Sequence, residues 1–218
     1  MTDREIHAAI RILRREVPKW ETPIVTLMAE TYQSPFRVLV SCILSLRTQD
    51  STTAVASKKL FALADTPEKM LRLTEQKIAK TIYPVGFYRT KAKVIREICR
   101  TLLRDYGGKV PDDIDELLKL KGVGRKTANL VVTLGYGKPG ICVDTHVHRI
   151  SNRWGYVKTK DPKETEFGLR DKLPKQYWIE YNDLLVSFGQ HLCHPISPRC
   201  TQCPVEKYCK KVGVTVHR

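Results

Sequence analysis

One local pattern recurs along this chain and limits what it can become: a small polar residue beside proline or a carboxylate, followed by apolar residues at helical spacing. Ser34-Pro35 is the clearest case. Serine offers an oxygen to the first free amides, proline presets the first turn, and Phe36, Leu39, Val40, Ile43 and Leu44 follow at i, i+3, i+4, i+7 and i+8. Similar starts stand at Asp50, at Thr66-Pro67, at Asp112 and Asp113 after Pro111, and at Asp161-Pro162. Val94, Ile95, Ile98, Leu102 and Leu103 line a helix beginning near Arg89, and Trp178, Tyr181, Leu185 and Phe188 line another. No convincing period-two run interrupts them, so the expected fold class is all-α. The sequence shows no low-complexity segment and no linker rich in Gly, Pro and Ser, so two domains would be joined by short loops.

The 218 residues, 42% of them hydrophobic, suit one large domain or two small ones. Thirty-eight Lys and Arg against 23 Asp and Glu leave a formal charge of +15, which calls for a polyanionic partner: nucleic acid, a membrane surface or an acidic protein. The first residues lack an apolar segment of signal-peptide length, and the longest apolar stretch, around Val38 to Leu44, is far too short to span a bilayer. A soluble cytoplasmic protein is expected, nucleoid-associated if the source is prokaryotic.

Leu120-Lys121-Gly122-Val123-Gly124-Arg125-Lys126 separates a helix carrying Ile114, Leu117 and Leu118 from a helix running from Lys126 to about Leu134. Two glycines one residue apart let the backbone take conformations barred to other residues and approach a ligand closely. The second helix aims its free N–H groups at the same place, so the hairpin suits a phosphate. The alternative is a plain turn between core helices. Lys126 lies in the first turn, where the positive helix end and Arg125 both disfavour its protonated form, and a neutral amine is a nucleophile. An exposed charge or a simple phosphate contact is the competing role.

Val143-Asp144-Thr145-His146 follows an apolar approach through Ile141 and Cys142. Asp144 would cap a helix carrying Val147 and Ile150. A carboxylate held rigidly in that way is also placed to stabilise a cation or accept a proton, and the sequence leaves both roles open.

Of seven cysteines, Cys42, Cys99 and Cys142 stand alone in apolar surroundings and read as small core residues. Cys193, Cys200, Cys203 and Cys209 crowd together in a C-x₆-C-x₂-C-x₅-C array that implies a metal centre. Structural zinc sites usually pair two short knuckles, and this array has one, so a [4Fe-4S] cluster fits better than zinc. Disulfides are the remaining alternative. With every iron held by cysteine, the cluster's default roles are to fix the fold and position basic residues such as Arg199 and Lys207.

These residues resemble the endonuclease III family, iron-sulfur helix-hairpin-helix DNA glycosylases that also cut at abasic sites. The likeness runs from about Pro35 to Cys209 and rests on Leu-x-Gly-Val-Gly-Arg-Lys-Thr-Ala-Asn at 120–129, Val-Asp-Thr-His at 143–146 and the cysteine array. The resemblance implies a two-lobed all-α fold: a six-helix barrel domain over 28–138 with its helix-hairpin-helix at about 112–136, and a [4Fe-4S] cluster domain formed by 1–27 and 139–218. It implies a monomer acting on double-stranded DNA that carries a damaged base or an abasic site. Lys126 then attacks C1′ with Asp144 assisting, removes an oxidised or saturated pyrimidine, and cleaves the strand by β-elimination. Gly122, Val123, Gly124, Arg125, Lys121 and His146 would contact DNA, and Phe87, in Val85-Gly86-Phe87-Tyr88, matches a wedge that enters the base stack. Behind it, Arg89, Lys93, Arg96 and Arg100 form a basic stripe, whose bland alternative is a solvated helix face.

Three positions depart from the family pattern. Arg47 stands where glutamine often fills the gap left by a flipped nucleotide, which puts the opposite-base preference in doubt. Lys121 replaces a proline, adding a candidate phosphate contact. His194-Pro195-Ile196-Ser197-Pro198-Arg199 is less basic than the usual loop between the first two cysteines. Two other readings stay open: a glycosylase specific for uracil or thymine mismatched with guanine, which Arg47 keeps alive, and a non-catalytic iron-sulfur DNA-binding or redox-sensing module.

Overall fold

The computed structural model describes residues 1–20, 26 and 34–218, and among them every regular element is helical. The helices are α1 (Asp3–Glu16), α2 (Pro35–Ser45), α3 (Asp50–Leu63), α4 (Pro67–Arg72), α5 (Glu75–Ile82), α6 (Tyr88–Asp105), α7 (Ile114–Leu118), α8 (Arg125–Leu130), α9 (Thr145–Arg153), α10 (Pro162–Lys172) and α11 (Trp178–His191). None is long and apolar enough to cross a membrane. The chain divides into two compact units, Met1–Pro23 with Ile141–Arg218 and Ile24–Gly140. The boundary at 27/28 expected from the resemblance lies outside the described residues.

In the central unit, α2 is buried nearly all round, with Phe36, Val38, Leu39, Val40, Cys42, Ile43 and Leu44 inside. A helix apolar on all sides belongs in the middle of a core, and α2 packs against α3, α6, α8 and the π turn that follows α8. Each fully buried Leu or Ile adds about 1.5–3 kcal/mol of transfer free energy, an upper figure because the unfolded chain is itself partly collapsed. Ser34 caps α2, Thr66 caps α4 and Thr74 caps α5 through side-chain oxygens. The start expected at Asp50 shifts by one residue: Gln49 is the cap, without a side-chain bond, and Asp50 is the first helical residue, where its charge still meets the positive helix end. α6 packs on α4 and α5 and carries Ile95, Ile98 and Leu102 inward, while Val94 and Leu103 are only half-buried.

The other unit joins both chain ends. α1 opens with a capping box between Thr2 and Glu5 and buries Ile6, Ala9, Ile10 and Leu13. That face meets Val147, Ile150, Trp154, Tyr181, Leu185 and Phe188 in one core. The amino terminus donates to the Trp154 carbonyl at 3.0 Å, and the Arg14–Glu180 ion pair ties α1 to α11.

Candidate active site

Asp113 starts the hairpin by accepting from the amides of Asp115 and Glu116 at 2.9 and 3.1 Å. α7 then lasts little more than a turn, and the chain reverses with Leu120 and Val123 turned inward and bonded, Val123 N–H to Leu120 C=O, at 3.1 Å. Gly122 has φ +78°, and a Cβ there would stand 2.9 Å from Val94 Cγ1 on α6, so conformation and space both demand glycine. Gly124 corrects the sequence reading. Its φ of −98° and ψ of 174° suit any residue, and nothing lies within 4 Å of where its Cβ would be. This second glycine is therefore not required by the turn; what it leaves is open space over the backbone at the start of α8.

Arg125 and Lys126 are the first two residues of α8, which runs to Leu130 and continues as a π turn over Val131–Gly135 instead of remaining α-helical to Leu134. Lys126 is exposed, yet lies near enough to buried Cys42 that its charge opposes the burial pushing that thiol up to about 12. Lys121 forms an ion pair with Glu97 at 3.0 Å, so its charge is engaged within this unit.

Arg47 and Phe87, distant in sequence, come together. The guanidinium carbon of Arg47 lies 5.8 Å from the Phe87 ring centroid, and Phe87 is 63% exposed. The basic stripe is not uniform. Lys93 and Arg100 are exposed and Arg89 covers the Tyr88 ring, but half-buried Arg96 donates to the carbonyls of Leu71 and Leu73 at the end of α4.

In the other unit, Ile141, Cys142 and Val143 enter the core and Asp144 follows half-buried. Its Oδ1 accepts from the amides of His146 and Val147 at 2.8 and 2.9 Å, as a cap of α9. His146 lies against Gly189 of α11, where a Cβ would collide with Nδ1, and its Nδ1 is 3.1 Å from Arg149 Nη2. Only glycine at 189 admits the ring.

Cys193, Cys200, Cys203 and Cys209 line one small cavity with Arg153, Trp154 and Phe188 among its walls. Among the described residues no three His, Cys, Asp or Glu side chains close on a point as one metal ion would require; the thiols surround a space. Burial pushes Cys203 up to about 12 and raises Cys200 and Cys209 as well. Arg153 Nη1 reaches the Cys193 sulfur at 3.2 Å and the His194 carbonyl at 2.8 Å, and its Nη2 donates to the Pro195 carbonyl at 3.0 Å. The Lys211 amide donates to the Cys209 sulfur at 3.3 Å. At Cys209 the amide opposes the rise that burial causes. The lone Cys42, Cys99 and Cys142 are buried core residues.

The hairpin residues are thus assembled around the start of α8, Arg47 pairs with Phe87, and Asp144 with His146 opens α9. Two residues escape the sequence reading. Arg153 grips the first cysteine from 40 positions away, with no local signal. Lys91 is 7% exposed, and its signal is visible afterwards: it stands in register with Ile95, Ile98 and Leu102 on the apolar stripe of α6.

Residues 40–175 match the family described as HhH-GPD superfamily base excision DNA repair protein. The endonuclease III of Thermotoga maritima is 49% identical over 81% of this chain and 83% of its own. That of Bacillus subtilis is 41% identical over 83% of each. The chloroplastic endonuclease III homolog 1 of Arabidopsis thaliana is 44% identical over 80% of this chain and 48% of its own, longer, length. Among solved structures, a trapped endonuclease III–DNA covalent intermediate superposes with a TM-score of 0.85 at 33% identity, covering 97% of both chains. A thermostable thymine-DNA glycosylase superposes at 0.74 with 25% identity, covering 94% of this chain and 98% of its own.

Proposed function

Because this chain belongs to the endonuclease III family of HhH-GPD base excision DNA repair proteins, we propose that Lys126 and Asp144 carry out its two linked reactions. The protein is a bifunctional DNA glycosylase and abasic-site lyase, and its partner is DNA. The observation that carries the residue assignment is the position of Lys126: an exposed amine on the first turn of α8, directly after a hairpin backbone open to an anion.

In this reading the hairpin binds a phosphate of monomer-bound duplex DNA through backbone amides, holding register without reading bases. Arg47 and Phe87 enter the stack where the target nucleotide leaves it, and the substrate is an oxidised or saturated pyrimidine. Lys126 Nζ attacks C1′ as the bond from C1′ to the base breaks and the base departs. The positive charge developing on the sugar is stabilised by the Asp144 carboxylate, which its capping bonds hold in one orientation. Loss of the amine proton and opening of the sugar ring give a Schiff base. A C2′ proton is then removed, the C3′–O bond breaks, the 3′ phosphate leaves, and water releases the lysine.

The family generally carries a [4Fe-4S] cluster, and the residues here fit one: four cysteine sulfurs around a common cavity, with Arg153 and the Lys211 amide as donors. Cys193, Cys200, Cys203 and Cys209 would hold it. When bound, such a cluster, ligated only by cysteine, supplies a rigid cross-link and no open position for substrate.

The test is a duplex carrying one thymine glycol opposite each of the four bases. Release of the free base together with a 3′ unsaturated aldehyde end, both lost in Lys126→Ala, is the expected result. Base release without strand cleavage would contradict it and favour a monofunctional mismatch enzyme.

A further inference from the structure

Lys91 is a buried ammonium, and its bonds all run to one place. It sits in the first turn of α6, and its Nζ donates to the Leu44 carbonyl at 2.8 Å, the Leu46 carbonyl at 2.5 Å and Thr48 Oγ1 at 3.1 Å. These acceptors are the end of α2 and the loop that carries Arg47. Thr48 Oγ1 also accepts from the Gly86 amide at 3.2 Å and donates to the Leu46 carbonyl at 3.3 Å, which exhausts one hydroxyl's capacity. The Lys91 amide in turn donates to the Phe87 carbonyl at 3.0 Å.

The two loops touch along their backbones. A Cβ on Gly86 would stand 2.6 Å from the Arg47 carbonyl oxygen, so only glycine permits the approach. Arg47 and Phe87 both have left-handed backbones, φ 52° and 56°, a region that side chains other than those of Gly, Asn and Asp rarely occupy and that persists only where surroundings enforce it. What encloses them is Lys91, Thr48 and Gly86. Burial alone pushes Lys91 down to about 8, so its charge is held here at a cost. A neutral amine has two donors to offer, and an ammonium has the three that the acceptors require.

We propose that Lys91 is a positioning residue that clasps the loop of Arg47 to the turn of Phe87, so that the two exposed side chains meet the base stack as one preformed wedge. This rests on the reading above that Arg47 and Phe87 engage DNA. The clasp removes the need to order two loops during base opening, and its effect is confined to substrates whose stack must be opened.

That confinement makes the test. Two substrates are compared: a fully paired duplex with one abasic site, and the same strand in a bubble whose abasic site and neighbours are unpaired. Lys91→Met keeps the aliphatic length and removes the donors. It should lower kcat/KM on the paired duplex by roughly tenfold, the scale of reordering flexible side chains on binding, and change the bubble rate by less than about threefold. Lys91→Arg should restore part of the loss. Thr48→Val, which cuts the bridge to Gly86 without touching the charge, should reproduce the same selectivity and stands in should Lys91→Met fold poorly. Equal losses on both substrates, or none, in a folded variant would overturn the clasp. The double variant Arg47→Ala/Phe87→Ala checks the premise: if it too fails to discriminate between paired and bubble DNA, the wedge itself is refuted, whereas discrimination there but not in Lys91→Met refutes the clasp alone.

Discussion

The two hairpin glycines should fail in opposite ways when each is replaced by alanine. At Gly122 the backbone is left-handed and the new methyl would meet Val94 Cγ1 at 2.9 Å. Left-handed strain costs about 1–2 kcal/mol, and driving Val94 from its rotamer costs about 0.5–1.5 kcal/mol. Alanine also stiffens the unfolded chain, which returns about 0.4–1 kcal/mol. The net loss for Gly122→Ala is therefore about 0.5–3 kcal/mol. Gly124 has an ordinary extended backbone and open space at its Cβ position. There the gain from the unfolded chain and the loss of a good cap residue nearly cancel, leaving stability within about 0.5 kcal/mol of wild type. But the methyl occupies the space through which a phosphate would reach the amides. Losing one charge-assisted hydrogen bond, about 1.5–3 kcal/mol, weakens DNA binding by roughly 10- to 100-fold. Urea unfolding gives the first quantity, and fluorescence anisotropy on a duplex with a non-cleavable abasic analogue gives the second. A Gly124→Ala protein that binds as wild type would refute phosphate approach at this glycine, and an undiminished stability in Gly122→Ala would refute the strain argument.

Asp144→Asn should separate capping from charge: asparagine caps as well as aspartate, so stability should hold within about 0.5 kcal/mol, while base release falls by roughly a hundredfold or more. Asp144→Ala should in addition lose about 1 kcal/mol in urea unfolding, and an active Asn variant would remove the carboxylate from the mechanism. Arg153→Met should lower iron content per chain and speed iron loss to a chelator, because the donor to the Cys193 sulfur is gone; unchanged retention would count against a cluster held at these thiols. Lys91 gives a pH signature. Its folded value, about 8, lies below its ordinary 10.5, so between the two the unfolded chain binds more protons and this group makes stability rise with pH. Lys91→Met should lack that rise, and parallel pH curves for the two proteins would show that the charge is not buried as described.

How much of this was legible depends on how local each signal is. Ser34, Thr66, Asp113 and Asp161 announce their helices because a cap and its helix are neighbours in sequence. The capping box at Thr2 and Glu5 and the cap at Thr74 are equally local, but escape a search keyed to proline and aspartate starts. The hairpin and the cysteine array stand out by composition, yet the sequence could not divide the work of the two glycines, since the Val94 side chain that crowds position 122 comes from another helix. Lys91 and Arg153 are hidden for the same reason. A lysine or arginine reads as surface until the carbonyls and sulfur that accept its protons are brought in by the fold, from 47 residues away for Lys91 and 40 for Arg153.

Whether Lys126 is the nucleophile is read from borohydride reduction of the purified protein on a duplex bearing one abasic site, with wild type and Lys126→Ala compared at equal iron content and equal DNA binding. Wild type alone should give a covalent protein–DNA adduct, with the cross-link mapped to the peptide containing Lys126. An adduct of the same yield in Lys126→Ala, or none in a wild-type protein that binds the duplex, would contradict that role.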